Sequence, residues 1–121
     1  MTWLCSSPDP PARRDSRGLL VIKVAVSPEE VMVVITGELD ITSRPELAER
    51  LSAVLRAKPR RLVLDMSGTS FMDCGSARLI ASAGQSLPDG RRPLIRRARP
   101  IVRRVFELSG LAALCELEDS L

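Results

Sequence analysis

The chain has 121 residues, a formal net charge of +3 and 45% apolar residues. That length predicts one domain with a modest core. It contains no histidine, so the commonest general base and the commonest metal ligand are both missing.

Trp3, Phe71 and Phe106 are its three aromatic residues, so the core must be aliphatic. Cys5, Cys74 and Cys115 are scattered without a CxxC pair, which argues against a disulfide framework or a zinc site. No stretch is long and apolar enough to span a bilayer, and the N-terminus lacks a signal-type run. The expectation is a cytoplasmic protein without metal, cofactor or membrane contact.

Residues 1–17 carry Pro8, Pro10 and Pro11 among charges, with no periodicity. They predict a disordered tail before a domain spanning residues 18–121. Leu20, Ile22, Val24 and Val26 alternate as in a strand, and Ser27–Glu30 forms a turn. Val31–Thr36 is apolar on both faces and predicts an inner strand, paired to the first as a hairpin. Ser43 stands three before Glu46, with Pro45 in the first turn, a capping-box pattern. Leu47, Leu51, Val54 and Leu55 continue that helix to about Lys58, where Pro59 stops it.

Leu62–Leu64 predicts a third strand, too apolar for an edge. A polar turn over Ser67–Ser70 follows, and then a helix from about Cys74 to Ser86. Arg92–Ala98 predicts a short strand around Leu94 and Ile95. Pro100 opens a third helix with an apolar stripe of Ile101, Val102, Val105 and Phe106, and Gly110 ends it. Leu111–Leu117 predicts a last strand, with Cys115 in the core.

The order is β-β-α-β-α-β-α-β: a single α/β domain with a mixed, mostly parallel five-stranded sheet and three to four helices. Strand–helix–strand units favour parallel strands. The ends of the second and third strands should therefore lie on one side of the sheet. Asp40 leaves one, and Asp73–Ser76 leaves the other. Such strand ends are where α/β proteins bind ligands and partners.

These two stretches also carry a resemblance. Leu64-Asp65-Met66-Ser67-Gly68 followed by Phe71-Met72-Asp73 resembles the core signature of the STAS domain of bacterial anti-sigma factor antagonists. Gly37-Glu38-Leu39-Asp40 is similar to that family's second signature. The likeness runs from Leu19 to Leu117. It implies a non-enzymatic protein, monomer or weak dimer, that binds an anti-sigma factor of serine-kinase type and so frees a sigma factor. The same resemblance leaves two alternatives: a subunit docking on a transporter ATPase, or a regulator that cannot be phosphorylated.

In that family, a serine in the helix-start loop is phosphorylated by the partner, and the modified form lets go. The family motif places the acceptor directly before a glycine, as Asp-Ser-Ser-Gly. This chain has Asp73-Cys74-Gly75-Ser76, with the two swapped. Ser76 is the phosphorylation candidate, displaced by about 100° around the helix from the usual position. The partner-binding candidates are Glu38, Asp40, Thr42, Asp73, Cys74, Gly75, Ser76 and Arg78.

Cys74 at a helix start is a candidate reactive thiol, opposed by the neighbouring Asp73. Asp40 and Asp73 could form a carboxylate pair, but no further base, metal cluster or phosphate loop accompanies them. Asp65 is expected to hold its loop by accepting backbone N–H bonds. The arginines at 91, 92, 96, 97, 99, 103 and 104 lack the interleaved aromatics of a nucleic-acid surface. They are expected to spread and to pair with Glu107, Glu116, Glu118 and Asp119, so no nucleic-acid partner is expected.

Overall fold

The computed structural model describes residues 2–5 and 20–118. Its strands are β1 (Thr2–Cys5), β2 (Val21–Val26), β3 (Glu30–Leu39), β4 (Arg61–Met72), β5 (Leu94–Arg96) and β6 (Glu116–Leu117). Its helices are α1 (Arg44–Arg56), α2 (Cys74–Ala83) and α3 (Pro100–Leu108). The strands lie side by side in sequence order. β1–β2 and β2–β3 are antiparallel, whereas β3–β4, β4–β5 and β5–β6 are parallel. All five strands expected from the sequence are present, and β1 adds a sixth at the edge. Within the stretch predicted as a tail, Thr2–Cys5 therefore pairs with β2; residues 6–19 lie outside the described residues.

Alternation along the strands decides which face is buried. Ile22 and Val24, Val31, Val33 and Ile35, and Leu62, Leu64 and Met66 belong to one core cluster. Leu47, Leu51 and Val54 of α1, Ile80 of α2, and Val102 and Phe106 of α3 close it from the helix side. Full burial of each such side chain stabilises the fold by roughly 1.5–3 kcal/mol. α1 touches α2, and α2 touches α3, so the helices form one layer over one face of the sheet. The opposite face carries Lys23, Val34 and Asp65, which sit in register across β2, β3 and β4.

Several boundaries differ from the sequence-based expectation, each for a physical reason. The third strand does not stop at Leu64, and Ser67–Ser70 is no turn: β4 runs on to Met72 alongside an equally extended β3. Two register shifts, between Val34 and Thr36 and between Gly37 and Glu38, absorb the polar residues as bulges. The Thr69 hydroxyl donates to the Ile35 carbonyl at 2.8 Å, a side chain doing what the interrupted ladder does not. Gly68 fits because a Cβ there would come within 2.8 Å of Thr36 Oγ1. Gly37 has φ 120°, a backbone form that favours glycine.

The capping box at Ser43 is also absent. Ser43 has helical φ/ψ and makes no side-chain cap bond, because its hydroxyl serves the preceding loop instead. α2 ends at Ala83, with a 3-10 turn over Gly84–Ser86. Ile101 is exposed rather than part of the buried α3 stripe. Most of the expected last strand is a 3-10 turn over Leu111–Leu114, leaving Glu116–Leu117 to pair with β5.

Candidate functional site

β3 and β4 end together. Leu39 is in register with Met72, and the Asp73 N–H donates to the Leu39 carbonyl at 3.0 Å. The loop into α1 and the loop into α2 therefore leave from one point at the carboxyl end of the sheet. Asp40 and Asp73–Ser76, far apart in sequence, stand beside each other.

Asp40 organises the first loop. Its Oδ1 accepts from the Thr42 hydroxyl at 2.7 Å, the Thr42 N–H at 3.0 Å and the Ser43 N–H at 3.2 Å. The Thr42 hydroxyl, helped by the two N–H groups and opposed by partial burial, holds the Asp40 carboxyl below its ordinary range. The buried Ser43 hydroxyl accepts from the Asp40 N–H at 2.9 Å and lies 3.0 Å from the Glu38 carbonyl, to which it donates. A short aspartate-anchored turn thus replaces the capping box.

Asp73 organises the second. It is the N-cap of α2, with extended backbone, and its Oδ1 accepts from the Ser76 N–H at 2.8 Å. Its Oδ2 pairs with Arg44 Nη2 at 2.8 Å. Burial alone would raise the Asp73 carboxyl, but the Ser76 N–H and the Arg44 guanidinium outweigh it and hold it below its ordinary range. Arg44 opens α1, so this ion pair ties the two loops to each other.

Both aspartates are consumed in shaping loops, so they do not form a facing acid/base pair. Ser76 is 0% exposed, and its hydroxyl makes no well-aligned hydrogen bond among the described residues, although it lies close enough to the Asp73 carboxylate to help hold it low. The phosphorylation candidate therefore points inward, away from any enzyme at the surface. The side-chain cap of α2 is Asp73. Cys74 is exposed and unpaired with any other described cysteine. Cys74 and Arg78 lie four apart on α2 and are both exposed, so they share a helix face. Gly75 is partly exposed, Thr42 is exposed, and Glu38 sits opposite Phe71 in the β3–β4 register.

Two residues that the sequence did not single out complete this end of the molecule. Ile41 is 69% exposed and Phe71 is 41% exposed. Phe71 is turned out because its neighbour Met72 is turned into the core, as strand alternation requires. Tracing β4 to Met72 in the sequence would have revealed it. The third omission is Arg44, whose proximity to Asp73 depends wholly on the tertiary fold.

The neighbouring strand end is held by ion pairs. Asp65 is buried and accepts from the Ser67 N–H at 3.0 Å and from Arg97 Nη2 at 2.7 Å. Burial would raise its carboxyl; Arg97 and the N–H bond outweigh that and lower it. Arg99 Nε donates to the Ser67 carbonyl at 2.9 Å. Arg96 pairs with Glu118 at 3.0 Å and Arg103 lies 3.8 Å from Glu107. Arg103 Nη1 also donates to the Glu118 carbonyl at 3.3 Å, so Arg96 and Arg103 share Glu118 while Arg97 and Arg99 share the Asp65–Ser67 segment; Asp119 lies outside the described residues.

Cys115 is buried, and burial pushes its thiol up to about 11. No helix among the described residues is long and apolar enough to cross a membrane.

Comparison with known proteins adds to this geometry. A family model described as the STAS domain matches residues 21–121. An anti-sigma factor antagonist from Mycobacterium paratuberculosis is 26% identical, with a TM-score of 0.76 over 85% of this chain and 88% of its own. The anti-sigma factor antagonist SpoIIAA in its unphosphorylated form is 22% identical, with a TM-score of 0.67 over 84% of this chain and 89% of its own. The phosphorylated form of SpoIIAA, a Bacillus cell fate determinant, is 21% identical, with a TM-score of 0.61 over 84% and 92%. At those identities the two SpoIIAA structures speak to the fold alone.

Proposed function

The chain belongs to the STAS domain family, and from that premise we propose that it is an anti-sigma factor antagonist acting by protein–protein contact. It binds an anti-sigma factor of serine-kinase type through the carboxyl-end face and thereby releases a sigma factor. The observation that carries this reading is the meeting of the Asp40 and Asp73 loops beside two exposed apolar side chains, Ile41 and Phe71. Exposed apolar side chains held on a strand end (Phe71) and on a short, internally bonded loop (Ile41) suit the anchor positions of an interface, because little order remains to be imposed on binding. Glu38, Thr42, Cys74 and Arg78 form the polar rim.

The contact is not released by phosphate on Ser76. A kinase would have to extract a fully buried hydroxyl from the first turn of α2. The residue matching the family's acceptor position is Gly75, which has no hydroxyl.

The test is a pull-down from native cell extract, with and without ATP, followed by intact mass of the bait. Wild type is expected to capture an anti-sigma factor under both conditions and to keep its mass. Asp40→Lys, which breaks the loop and reverses its charge, is expected to lose the partner. A folded Asp40→Lys protein that still captures it refutes the proposed face. A gain of one phosphate in wild type that is missing in Ser76→Ala refutes the phosphate-independent reading.

A further inference from the structure

We infer that Arg44 is the positioning residue of the recognition face, and that its guanidinium and a side chain at position 75 exclude each other. The inference deepens the binding reading above and rests on it only for its consequence in partner capture. Gly75 is not one of the glycines with positive φ, which are Gly37, Gly90 and Gly110. Its backbone is helical, so any residue could adopt it. What requires glycine is space. A Cβ built on Gly75 would collide with the Arg44 guanidinium carbon and both of its terminal nitrogens. No backbone atom is among those nearest neighbours, so the obstacle is the far end of a flexible side chain.

Arg44 is not free to swing away at no cost. Its Nη2 is bonded to Asp73 Oδ2 at 2.8 Å across 29 residues of chain. Asp73 in turn receives the Ser76 N–H. A side chain at 75 therefore unseats Arg44 from Asp73 and loosens the tie between the two loops. The fold itself can survive, because the clash is relieved by rotating one arginine.

The consequence concerns regulation. Position 75 is where the resembling motif carries its acceptor serine. Restoring a serine there does not restore a switchable loop in this protein, because it removes the clasp that sets the loop's shape. Two residues, 44 and 75, must change together.

The experiment uses the full chain labelled with nitrogen-15, as wild type, Arg44→Met, Gly75→Ser and the double variant. The Ser76 amide shift reports the charge of Asp73, to which it donates, and is followed from neutral pH into acid. Removing a cation from a carboxylate raises its titration midpoint. Arg44→Met is expected to shift the midpoint upward. Gly75→Ser is expected to shift it upward by a similar amount although it alters no charge, and the double variant is expected to shift it no further. A Gly75→Ser protein with the wild-type midpoint overturns the inference, as do shifts that add in the double variant. Should Gly75→Ser fail to fold, a folded double variant supports the exclusion and an unfolded one overturns it. Neither readout needs the partner, so failure of the binding reading leaves this result intact, and the reverse also holds.

Discussion

Replacing Asp73 by alanine removes the cap of α2 and the partner of Arg44 in one step. A lost N-cap costs about 1 kcal/mol. The Arg44–Asp73 pair is roughly one-third exposed on each side, and such pairs contribute about 0.5 kcal/mol once solvent screening is counted. The sum, about 1.5 kcal/mol, lowers the melting temperature by roughly 6 °C for a domain of this size. Asparagine keeps an acceptor for the Ser76 N–H and forfeits the charge, so Asp73→Asn should cost about 0.5 kcal/mol by the same reckoning.

The pH dependence separates the two terms. The Asp73 carboxyl is held below its ordinary value of 3.8 in the folded protein. A lowered folded value means stability that is fully present above the unfolded value and lost as pH falls through the folded one. Wild type and Asp73→Asn should therefore converge in acid while remaining distinct near neutrality. Circular dichroism melts in a pH series measure this. An Asp73→Ala protein that melts with wild type, or an Asp73→Asn protein as damaged as Asp73→Ala, would refute the assignment of Asp73 as cap and clasp.

Three further outcomes are expected. Asp65→Ala should lower the urea midpoint by the equivalent of about 1 kcal/mol, the net worth of the Ser67 N–H bond to a buried carboxylate, with the solvent-screened Arg97 adding little; that loss too should shrink in acid, because the Asp65 carboxyl is held below its ordinary range. In a Cys5→Ser background, iodoacetamide should label Cys74 in the native protein and reach Cys115 only on unfolding, as peptide mass mapping would show, since Cys115 is buried with its thiol near 11. Phe71→Ser should leave the melting curve within about 0.5 kcal/mol of wild type. Its capture of the anti-sigma factor should fall by roughly tenfold or more, as expected of an interface anchor; unchanged capture would remove Phe71 from the face.

The strand and helix order was legible because apolar periodicity is a local signal. Val31–Thr36, Leu62–Leu64 and the Leu47–Val54 stripe each announce themselves within a few residues. The run from Ser67 to Ser70 misleads for an equally clear reason. Serine, threonine and glycine suit turns, but they suit bulges too, and pairing with β3 decides between the two. Ser43 shows the same limit: a sequence pattern for capping fits, yet the Asp40 turn claims the hydroxyl first.

From the sequence alone, the strand–helix–strand order favours a parallel β3–β4 pair, and parallel strands end on one side of the sheet, so the convergence of Asp40 and Asp73 was legible there. The sequence also showed the inverted Gly75-Ser76 order. Only the tertiary structure decided that Ser76 faces inward, that Ile41 stands exposed beside the end of β4, and that Arg44 fills the space above Gly75. Those three facts depend on contacts between segments distant in the chain, and the energy of such contacts has no signature in the local pattern of residues.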